Sequence, residues 1–380
     1  MHLGEDRENY FNAVSPPVIQ TSNFAFPDLD SFRKAIASES QNHLYTRGNN
    51  PTVQILRKKL AALEHAEDAL VFASGAAAVS AAVTANVKAG DHIICVENPY
   101  SWTKILLNDF LERFGVTHTY TDGTNLENIK AALRPETRLL YLESPNSLLF
   151  DLQDLQACAD WAKSHNIITA IDNSYASPLF QNPLDYGIDI SIHSGTKYLN
   201  GHSDVVCGVV CASRRMCEKI FAGEYMTFGA VISPHDAALI IRGLRTLHLR
   251  MERHHATGLF LARKLEQHPN VGRVLHPFLD SFPQQTLAKR QMRGCGGLFS
   301  FHLNTDSFER AEAFFAKLKC FLLAVSWGGH ESLVMPSTAF YKVPGKPDSP
   351  VPFTLVRLYA GLEDADWLWQ DLENALRVLD

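Results

Sequence analysis

The chain has 380 residues, of which 46% are hydrophobic and 20% charged, and its formal net charge is −6. This length can bury a large core and usually divides into two domains. The modest negative charge argues against a nucleic-acid or anionic-membrane partner. We expect no membrane span and no secretory signal, because no apolar run is long enough and the N-terminus is charged. The seven Cys are irregularly spaced, which favours reduced thiols, a cytoplasmic location and no metal site.

Residues 1–48 contain several turn-forming residues and little periodic pattern, so we expect an extended arm that contacts another surface, a partner subunit. Residues 49–240 alternate short apolar runs with helical patterns, which predicts a large domain. Near-continuous apolar strands separated by helices indicate a mostly parallel sheet that is covered on both faces. The predicted strands are 91–97, 138–144, 167–174, 188–194 and 205–212, and the predicted helices are 75–88, 102–114, 126–133 and 152–165.

The pattern changes near residue 241. A long helical stretch over 238–268 leads into further strand and helix patterns, which predicts a smaller α+β domain over 241–380. In open α/β sheets, ligands bind at the carboxyl ends of the strands. The polar residues that end the predicted strands of the large domain are therefore the candidates for a functional site.

Lys197 closely follows an apolar run that ends at Ile192. Burial at a strand end would lower the pKa of this Lys and make it a better nucleophile, although a side chain that reaches solvent is the alternative. Ser194 and Thr196 can donate hydrogen bonds to a phosphate. The segment FASGAAAVSAA (72–82) predicts a strand that leads into a helix, whose first N–H groups also bind anions. Together these features predict a phosphate site next to Lys197.

Asp172 ends another predicted strand, and a buried Asp requires a partner. Capping of the following turn is the ordinary role, and pairing with a protonated ring nitrogen is the functional one. Pyridoxal 5'-phosphate (PLP) offers an aldehyde to Lys197, a phosphate to the hydroxyl groups and a pyridine nitrogen to Asp172. Tyr100 follows the strand at 91–97 and could stack on such a ring, although an aromatic residue at the core edge is equally compatible with its position.

The segment DNSYASPLFQNPLDYGIDISIHSGTKYLNGHSD (172–204) resembles the signature of the Cys/Met-metabolism PLP enzymes. This trans-sulfuration family includes cystathionine γ-synthase, cystathionine β- and γ-lyases, methionine γ-lyase and homoserine-ester sulfhydrylases. The resemblance continues through YTRGNNPT (45–52), ESPNS (143–147), SWGGHESL (326–333) and LVRLYAGLED (355–364), and it covers nearly the whole chain. It implies an aspartate-aminotransferase-like (fold type I) PLP fold and a homotetramer built from two tight dimers.

The resemblance also implies roles for individual residues. Lys197 would bind PLP covalently and act as a catalytic residue, Asp172 would pair with the pyridine nitrogen, and Tyr100 would stack on the ring and assist proton transfer. The phosphate would be bound by Gly75, Ala76, Ser194 and Thr196, together with Tyr45 and Arg47 of the partner subunit.

Substrate recognition is the third role that the resemblance implies. Arg357 would bind the substrate α-carboxylate bidentately, which suits the geometry of a guanidinium, and Ser326 would assist. Val325 and Ser147 would complete the substrate site for a small amino acid.

Several positions bear on which reaction is catalysed. Val325 replaces the Glu of γ-synthases and cystathionine γ-lyases, as in methionine γ-lyases. Trp327 and Ser147 replace the more common Leu and Asn, as in bacterial cystathionine β-lyases, whereas Trp102 matches neither γ-synthases nor methionine γ-lyases. We predict a carbon–sulfur lyase that catalyses α,β-elimination on cystathionine or a related sulfur amino acid. The alternatives are a γ-lyase acting on cystathionine or methionine, and a γ-replacement transferase such as cystathionine γ-synthase or O-acylhomoserine sulfhydrylase.

Overall fold

The computed structural model describes all 380 residues and contains two β-sheets, which are formed by successive parts of the chain. The strands of the first sheet are β1 (Asp68–Phe72), β2 (His92–Val96), β3 (Thr117–Thr121), β4 (Thr137–Glu143), β5 (Ile168–Asp172), β6 (Ile190–Ser194) and β7 (Gly208–Ala212). Their order across the sheet is β1–β7–β6–β5–β4–β2–β3. The five strands from β6 to β3 run parallel, whereas β7 is antiparallel to both β6 and β1.

Burial of the parallel strands explains why the sequence reveals most of them. All five residues of β2 and of β7 are buried, as expected for a sheet that is covered on both faces. The predicted α/β class and the five predicted strands agree with the structure. The sequence pattern does not predict β3, because this edge strand reads THTYT and lacks an apolar run.

Ten helices accompany the first sheet, and side-chain caps begin many of them. The Ser74 hydroxyl accepts a hydrogen bond from the Ala77 N–H at the start of the helix Gly75–Thr84, and the Asp154 carboxylate caps the helix Leu155–Ser164 in the same way. The predicted helix over 102–114 is a short α-helix, α4, followed by a π-helical segment and a 3₁₀ turn. The helices are α1 (Leu29–Ala37), α2 (Pro51–Leu63), α3 (Gly75–Thr84), α4 (Ser101–Ile105), α5 (Leu126–Ala131), α6 (Leu155–Ser164), α7 (Ser177–Phe180), α8 (Arg214–Ile220), α9 (Met226–Phe228) and α10 (Pro234–Leu244).

The second sheet lies in the C-terminal part of the chain. Its strands are β8 (Val271–Leu275), β9 (Leu298–Leu303), β10 (Leu322–Leu323), β11 (Leu333–Pro336) and β12 (Leu355–Tyr359), in the order β10–β11–β12–β9–β8. Only β10 and β11 are parallel. The remaining helices are α11 (Leu247–Glu266), α12 (Gln285–Gln291), α13 (Phe308–Lys317) and α14 (Ala365–Leu376).

The single helical stretch predicted over 238–268 is two helices, α10 and α11, and a buried Arg accounts for the interruption. The Arg250 guanidinium donates hydrogen bonds to the carbonyl oxygens of Gly243 and Tyr198, at 2.9 and 2.7 Å. The Gly243 carbonyl would otherwise accept the N–H of Leu247 in a continuous helix. Gly243 itself lies against the backbone of Asn200, so this junction also fixes the loop that follows Lys197.

The first 48 residues contain little regular structure apart from α1 and two short 3₁₀ turns. Their beginning is anchored by the buried Glu5 carboxylate, which accepts hydrogen bonds from Lys59 at 3.0 Å and Arg7 at 2.6 Å. The predicted contact of this arm with a partner subunit stays a prediction. None of the helices in the structure has the length and apolar character that crossing a membrane would require.

Candidate active site

The carboxyl ends of three parallel strands bring the predicted site residues to one edge of the first sheet. β4 ends at Glu143, β5 at Asp172 and β6 at Ser194. Glu143 and Asp172 are direct partners in the strand register, and Asp172 is paired with Ile192 on β6. Tyr100 follows β2 and directly precedes α4 at the same edge. The position of the site therefore agrees with the general rule for parallel sheets.

Lys197 lies in the loop after β6, and its amino group is largely buried. The Lys197 Nζ donates a hydrogen bond of 2.6 Å to the Ser326 Oγ. Burial, reinforced by the positive charge of Arg357, lowers the pKa of Lys197 to about 8, although the negative charge of Asp172 opposes this shift. At pH 7 roughly a tenth of a group with this pKa is neutral, against about one part in three thousand for an ordinary Lys. The site thus provides a nucleophilic amine.

The loop 325–329 packs directly on the backbone of Lys197. Gly328 has a φ of +92°, and a methyl group added there would lie 2.8 Å from the Cα and carbonyl carbon of Lys197. Ser326 also has a positive φ of 84°, which is unusual for a residue with a side chain. This backbone conformation places the Ser326 hydroxyl next to Lys197. The second part of the chain therefore contributes a wall of the site.

The predicted phosphate site forms where two loops meet. A methyl group added at Gly75 would lie 3.0 Å from Cβ and Oγ of Ser194, so the start of α3 and the end of β6 are in close contact. Ala76 follows Gly75 in the first turn of α3. The Thr196 hydroxyl accepts a hydrogen bond from the Cys207 N–H at 3.0 Å, so it also fixes the loop to the chain before β7. These residues supply the N–H and hydroxyl donors that a phosphate group requires.

Charged groups converge on the space in front of Lys197. Arg357 lies on β12, and burial lowers the pKa of its guanidinium to about 10. The Tyr100 hydroxyl has a raised pKa because it is partly buried and lies in the field of Asp172, while Arg357 opposes this shift. The site thus combines the Arg357 guanidinium, the Lys197 amine and the Asp172 carboxylate with the Tyr100 ring. Such a set of groups suits a zwitterionic amino acid and a flat, anionic cofactor.

Tyr45 and Arg47 lie together on the arm. The Arg47 guanidinium is 5.3 Å from the centroid of the Tyr45 ring, and Tyr45 is 43% exposed. A methyl group added at Gly229 would lie 3.9 Å from Cδ of Arg47, so the Arg47 side chain passes close to Gly229. Within one chain these two residues contact each other rather than Lys197, and their role in a partner's phosphate site stays a prediction.

The residues that bear on substrate choice have different environments. Val325, next to Ser326 in the chain, is 70% exposed, whereas Trp327 is only 8% exposed. The Trp327 ring packs 5.2 Å from the Tyr198 ring and has the Lys197 Nζ 5.5 Å from its centroid. The Ser147 hydroxyl donates a 2.6 Å hydrogen bond to Glu143. Trp327 thus packs beside the Lys197 amine, whereas Val325 is largely exposed to solvent and its role in substrate binding stays a prediction.

A buried polar cluster beneath the site was not predicted. The Glu64 carboxylate, at the end of α2, pairs with His193 at 3.1 Å and accepts a hydrogen bond of 3.1 Å from Asn173. It also accepts a hydrogen bond from Ser191. Asn173 directly follows Asp172, and His193 directly precedes Ser194. Through these neighbours, Glu64 connects the ends of β5 and β6 by hydrogen bonds. Glu64 is separated from its partners by more than 100 residues, and no local pattern identifies it.

Comparisons with known proteins agree with this geometry. The model of the Cys/Met metabolism PLP-dependent enzymes matches residues 1–377. An L-methionine gamma-lyase from Pseudomonas deceptionensis is 39% identical, over 100% of this chain and 96% of that protein. The human cystathionine gamma-lyase is 38% identical, over 100% of this chain and 92% of that protein. The crystal structure of metB from Corynebacterium glutamicum superposes with a TM-score of 0.92 at 34% identity, covering 100% of this chain and 97% of that one.

The fold and the site define a PLP-dependent enzyme of fold type I. The chain belongs to the Cys/Met metabolism PLP-dependent enzyme family. The residues present fit the cofactor, because a buried amine, a strand-end carboxylate and a two-loop anion site occur at one sheet edge. The predicted family, fold class and cofactor are therefore confirmed. The roles of the individual site residues stay predictions.

Proposed function

We propose that this protein is a PLP-dependent carbon–sulfur lyase that catalyses α,β-elimination on cystathionine or a related sulfur amino acid. The observation that carries the proposal is the buried amine of Lys197, held by Ser326 and facing the charges of Arg357 and Asp172. The related γ-lyases support carbon–sulfur bond cleavage as the reaction class. Ser147 and Trp327, which resemble the bacterial β-lyase pattern, favour β-elimination.

Each side chain of the site has a separate role in the proposed reaction. Arg357 binds the substrate α-carboxylate through two parallel N–H donors, which orients the Cα–H bond. Lys197 Nζ, with its lowered pKa, removes the Cα proton once the substrate amine has displaced it. Asp172 would pair with the pyridine nitrogen of the cofactor. PLP, when bound, would supply an electron sink for the negative charge that develops at Cα. The thiolate then leaves from Cβ.

Tyr100 would stack on the cofactor ring and assist proton transfer to the leaving sulfur. Burial raises the pKa of its hydroxyl, so the group is protonated at neutral pH and can donate. Cleavage of cystathionine at Cβ would release homocysteine, and hydrolysis of the remaining three-carbon fragment by one water molecule would give pyruvate and ammonia.

A γ-lyase is the second candidate, and a specific observation favours it. Val325 occupies the exposed position in which γ-synthases and cystathionine γ-lyases have Glu, and methionine γ-lyases also lack that Glu. Two of the similar proteins are a methionine and a cystathionine gamma-lyase. In γ-elimination Lys197 would also move a Cβ proton, and cystathionine would yield 2-oxobutanoate, cysteine and ammonia.

The keto acid released from L-cystathionine distinguishes the two candidates. The purified, PLP-loaded protein is expected to release pyruvate, and chromatography of the keto-acid hydrazones separates pyruvate from 2-oxobutanoate. The Lys197→Ala variant, which lacks the base, is the blank. Release of 2-oxobutanoate instead would identify a γ-lyase and make methionine the next substrate to test. Release of neither, with thiol joined to O-acylhomoserine, would indicate the transferase.

We also propose a homotetramer of two tight dimers in which the arm, residues 1–48, contributes Tyr45 and Arg47 to a partner's site. Trp102, which is 58% exposed, and Phe228 line an apolar cavity of about 310 Å³ next to Tyr100. Such a surface is typical of a protein contact. The large and small domains would be 49–240 and 241–380, since the two sheets lie within 68–212 and 271–359. Seven unpaired Cys favour a cytoplasmic location.

Subunit complementation tests the shared site. Arg47→Ala and Lys197→Ala subunits carrying different tags are co-expressed, and the mixed dimer is purified. If Arg47 acts on a partner's site, one of the two sites in the mixed dimer is intact, and we expect about half the wild-type activity although both parents are inactive. A mixed dimer as inactive as its parents would show that Arg47 acts within its own chain.

A further inference from the structure

Glu143 is a buried carboxyl group for which the proposed reaction gives no role. It ends β4 and is 3% exposed. Its Oε1 accepts a 2.6 Å hydrogen bond from the Ser147 hydroxyl, and its Oε2 accepts a 2.7 Å hydrogen bond from the Tyr100 N–H. Burial of a carboxyl group is costly, so the group is retained either for local structure or for what it holds in place. Both of its partners are predicted active-site residues.

Asp172 restricts the protonation state of Glu143. The two residues are direct register partners at the ends of β4 and β5. Burial, followed by the negative charge of Asp172, raises the pKa of Glu143 to about 8, although the hydrogen bonds with Ser147 and Tyr100 oppose this shift. Glu143 is therefore mainly protonated at neutral pH. A neutral Glu143 avoids a second negative charge directly beside Asp172. The other titratable groups close to Glu143 are the Tyr141 hydroxyl and the Cys95 thiol, and burial raises the pKa of both.

The two hydrogen bonds connect the loop after β4 with the segment that leads from β2 into α4. Ser147 lies four residues beyond Glu143 in the loop after β4, whereas Tyr100 begins a helix that follows β2. Each hydrogen bond involves a different oxygen of the same carboxyl group. The Glu143 side chain therefore links the Ser147 hydroxyl to the Tyr100 backbone. In the family pattern, position 147 is usually Asn. Here the Ser147 side chain is shorter than an Asn side chain, and its hydroxyl donates a hydrogen bond to Glu143.

We propose that Glu143 is a positioning residue that acts through Tyr100 and Ser147, holding the stacked ring and the substrate-side hydroxyl in a fixed relation. This inference rests on the proposed function, because it assigns Tyr100 to the cofactor and Ser147 to the substrate. Ionisation of Glu143 would place a second negative charge beside Asp172 and disturb the arrangement. The reaction should therefore decline when Glu143 loses its proton.

Two substitutions separate the hydrogen bonds from the charge. Glu143→Gln has the shape of the protonated acid: its oxygen can accept from the Tyr100 N–H, and its amide can donate to the Ser147 oxygen, as the proton of the neutral acid would; only the ionised carboxylate would accept from both partners. Glu143→Leu removes both hydrogen bonds. Glu218→Gln, on the exposed face of α8, is the matched control. The measurements are kcat and KM against pH, and the absorbance and circular dichroism of the bound cofactor without substrate.

We expect Glu143→Gln to keep kcat at pH 7 within a few-fold of the wild type and to lose the decline near pH 8. Glu143→Leu should lower kcat/KM roughly 5- to 100-fold, as two lost hydrogen bonds imply, and should change the cofactor dichroism. Wild-type kcat/KM and dichroism in Glu143→Leu would overturn the proposal, as would an unchanged alkaline decline in Glu143→Gln. Should Glu143→Leu not fold, the pH comparison of Glu143→Gln with the wild type decides alone.

The spectroscopic measurement keeps this inference separate from the proposed function. If the wild-type protein cleaves no sulfur amino acid, the proposed reaction fails, but the dichroism of the bound cofactor still reports whether Glu143 holds the Tyr100 ring. If the wild type is active and neither variant changes the dichroism or the pH profile, the inference about Glu143 fails while the lyase assignment stands.

Discussion

Replacement of Lys197 by Ala is expected to abolish turnover and, at the same time, the visible absorbance of covalently bound cofactor. The physical reason is that, in the proposed reaction, one buried amine would serve both purposes: it would form the covalent link and later remove the Cα proton. Loss of a general base alone typically costs about 10²- to 10⁴-fold in rate. Because attachment is lost as well, we expect activity below detection. Keto-acid release and absorbance spectra of the purified variant check both effects.

Two further variants make this result specific. Lys197→Arg keeps a positive charge but cannot form the covalent link or accept a proton near neutral pH, so we expect it to be as inactive as Lys197→Ala. Lys88→Ala, in an exposed loop before β2, should behave as the wild type. Turnover that survives in Lys197→Ala would contradict both the cofactor attachment and the base assignment.

The lowered pKa of Lys197 also predicts how the stability of the cofactor-free protein depends on pH. Between about pH 8 and pH 10.5 the unfolded chain binds more protons at Lys197 than the folded one, so stability rises across this range. Below pH 8 the full cost of burying the charge remains, up to about 3 kcal/mol. Lys197→Met, which keeps the length of the side chain, should therefore raise the Tm of the apoenzyme at pH 7. This advantage should disappear above pH 10.5.

Replacement of Arg357 by Leu is expected to have the second largest effect, on substrate binding rather than on the cofactor. A guanidinium that binds a carboxylate makes two charge-assisted hydrogen bonds, each contributing about 1.5–3 kcal/mol. We therefore expect kcat/KM to fall about 10²- to 10⁴-fold, mainly through KM. The cofactor absorbance should remain, because Lys197 is intact. Steady-state kinetics on the amino acid that the wild type cleaves provide the measurement.

The Arg357→Lys variant tests whether the planar guanidinium, rather than its positive charge alone, is required. Arg357→Lys keeps the charge on β12 but loses the planar pair of donors, so an intermediate loss of kcat/KM is expected. Arg215→Leu, on the exposed surface of α8, is the control for a general loss of positive charge. An Arg357→Leu variant with an unchanged KM would show that another group binds the α-carboxylate.

Local sequence patterns predicted much of the first sheet and part of the site. The parallel strands appear as apolar runs because both of their faces are buried, and this periodicity is a property of neighbouring residues. Asp172 could be identified because it ends such a run, and Lys197 because it closely follows one. The family motifs then indicated Arg357 and Ser326, which no periodic pattern distinguishes from ordinary residues near a strand. The edge strand β3 was missed because its polar residues carry no such signal.

The contacts that make the site reactive were decided by the tertiary structure. Ser326 meets Lys197 across 129 residues, Tyr100 meets Glu143 across 43, and His193 meets Glu64 across 129. A local pattern records only the surroundings of residues a few positions apart, whereas these contacts depend on strand order and on how the second sheet packs against the first. Burial follows from the same packing and lowers the pKa of Lys197 while raising that of Glu143. The sequence by itself therefore determined which groups are available for the chemistry, and the packing of distant segments determined their charge states and their partners.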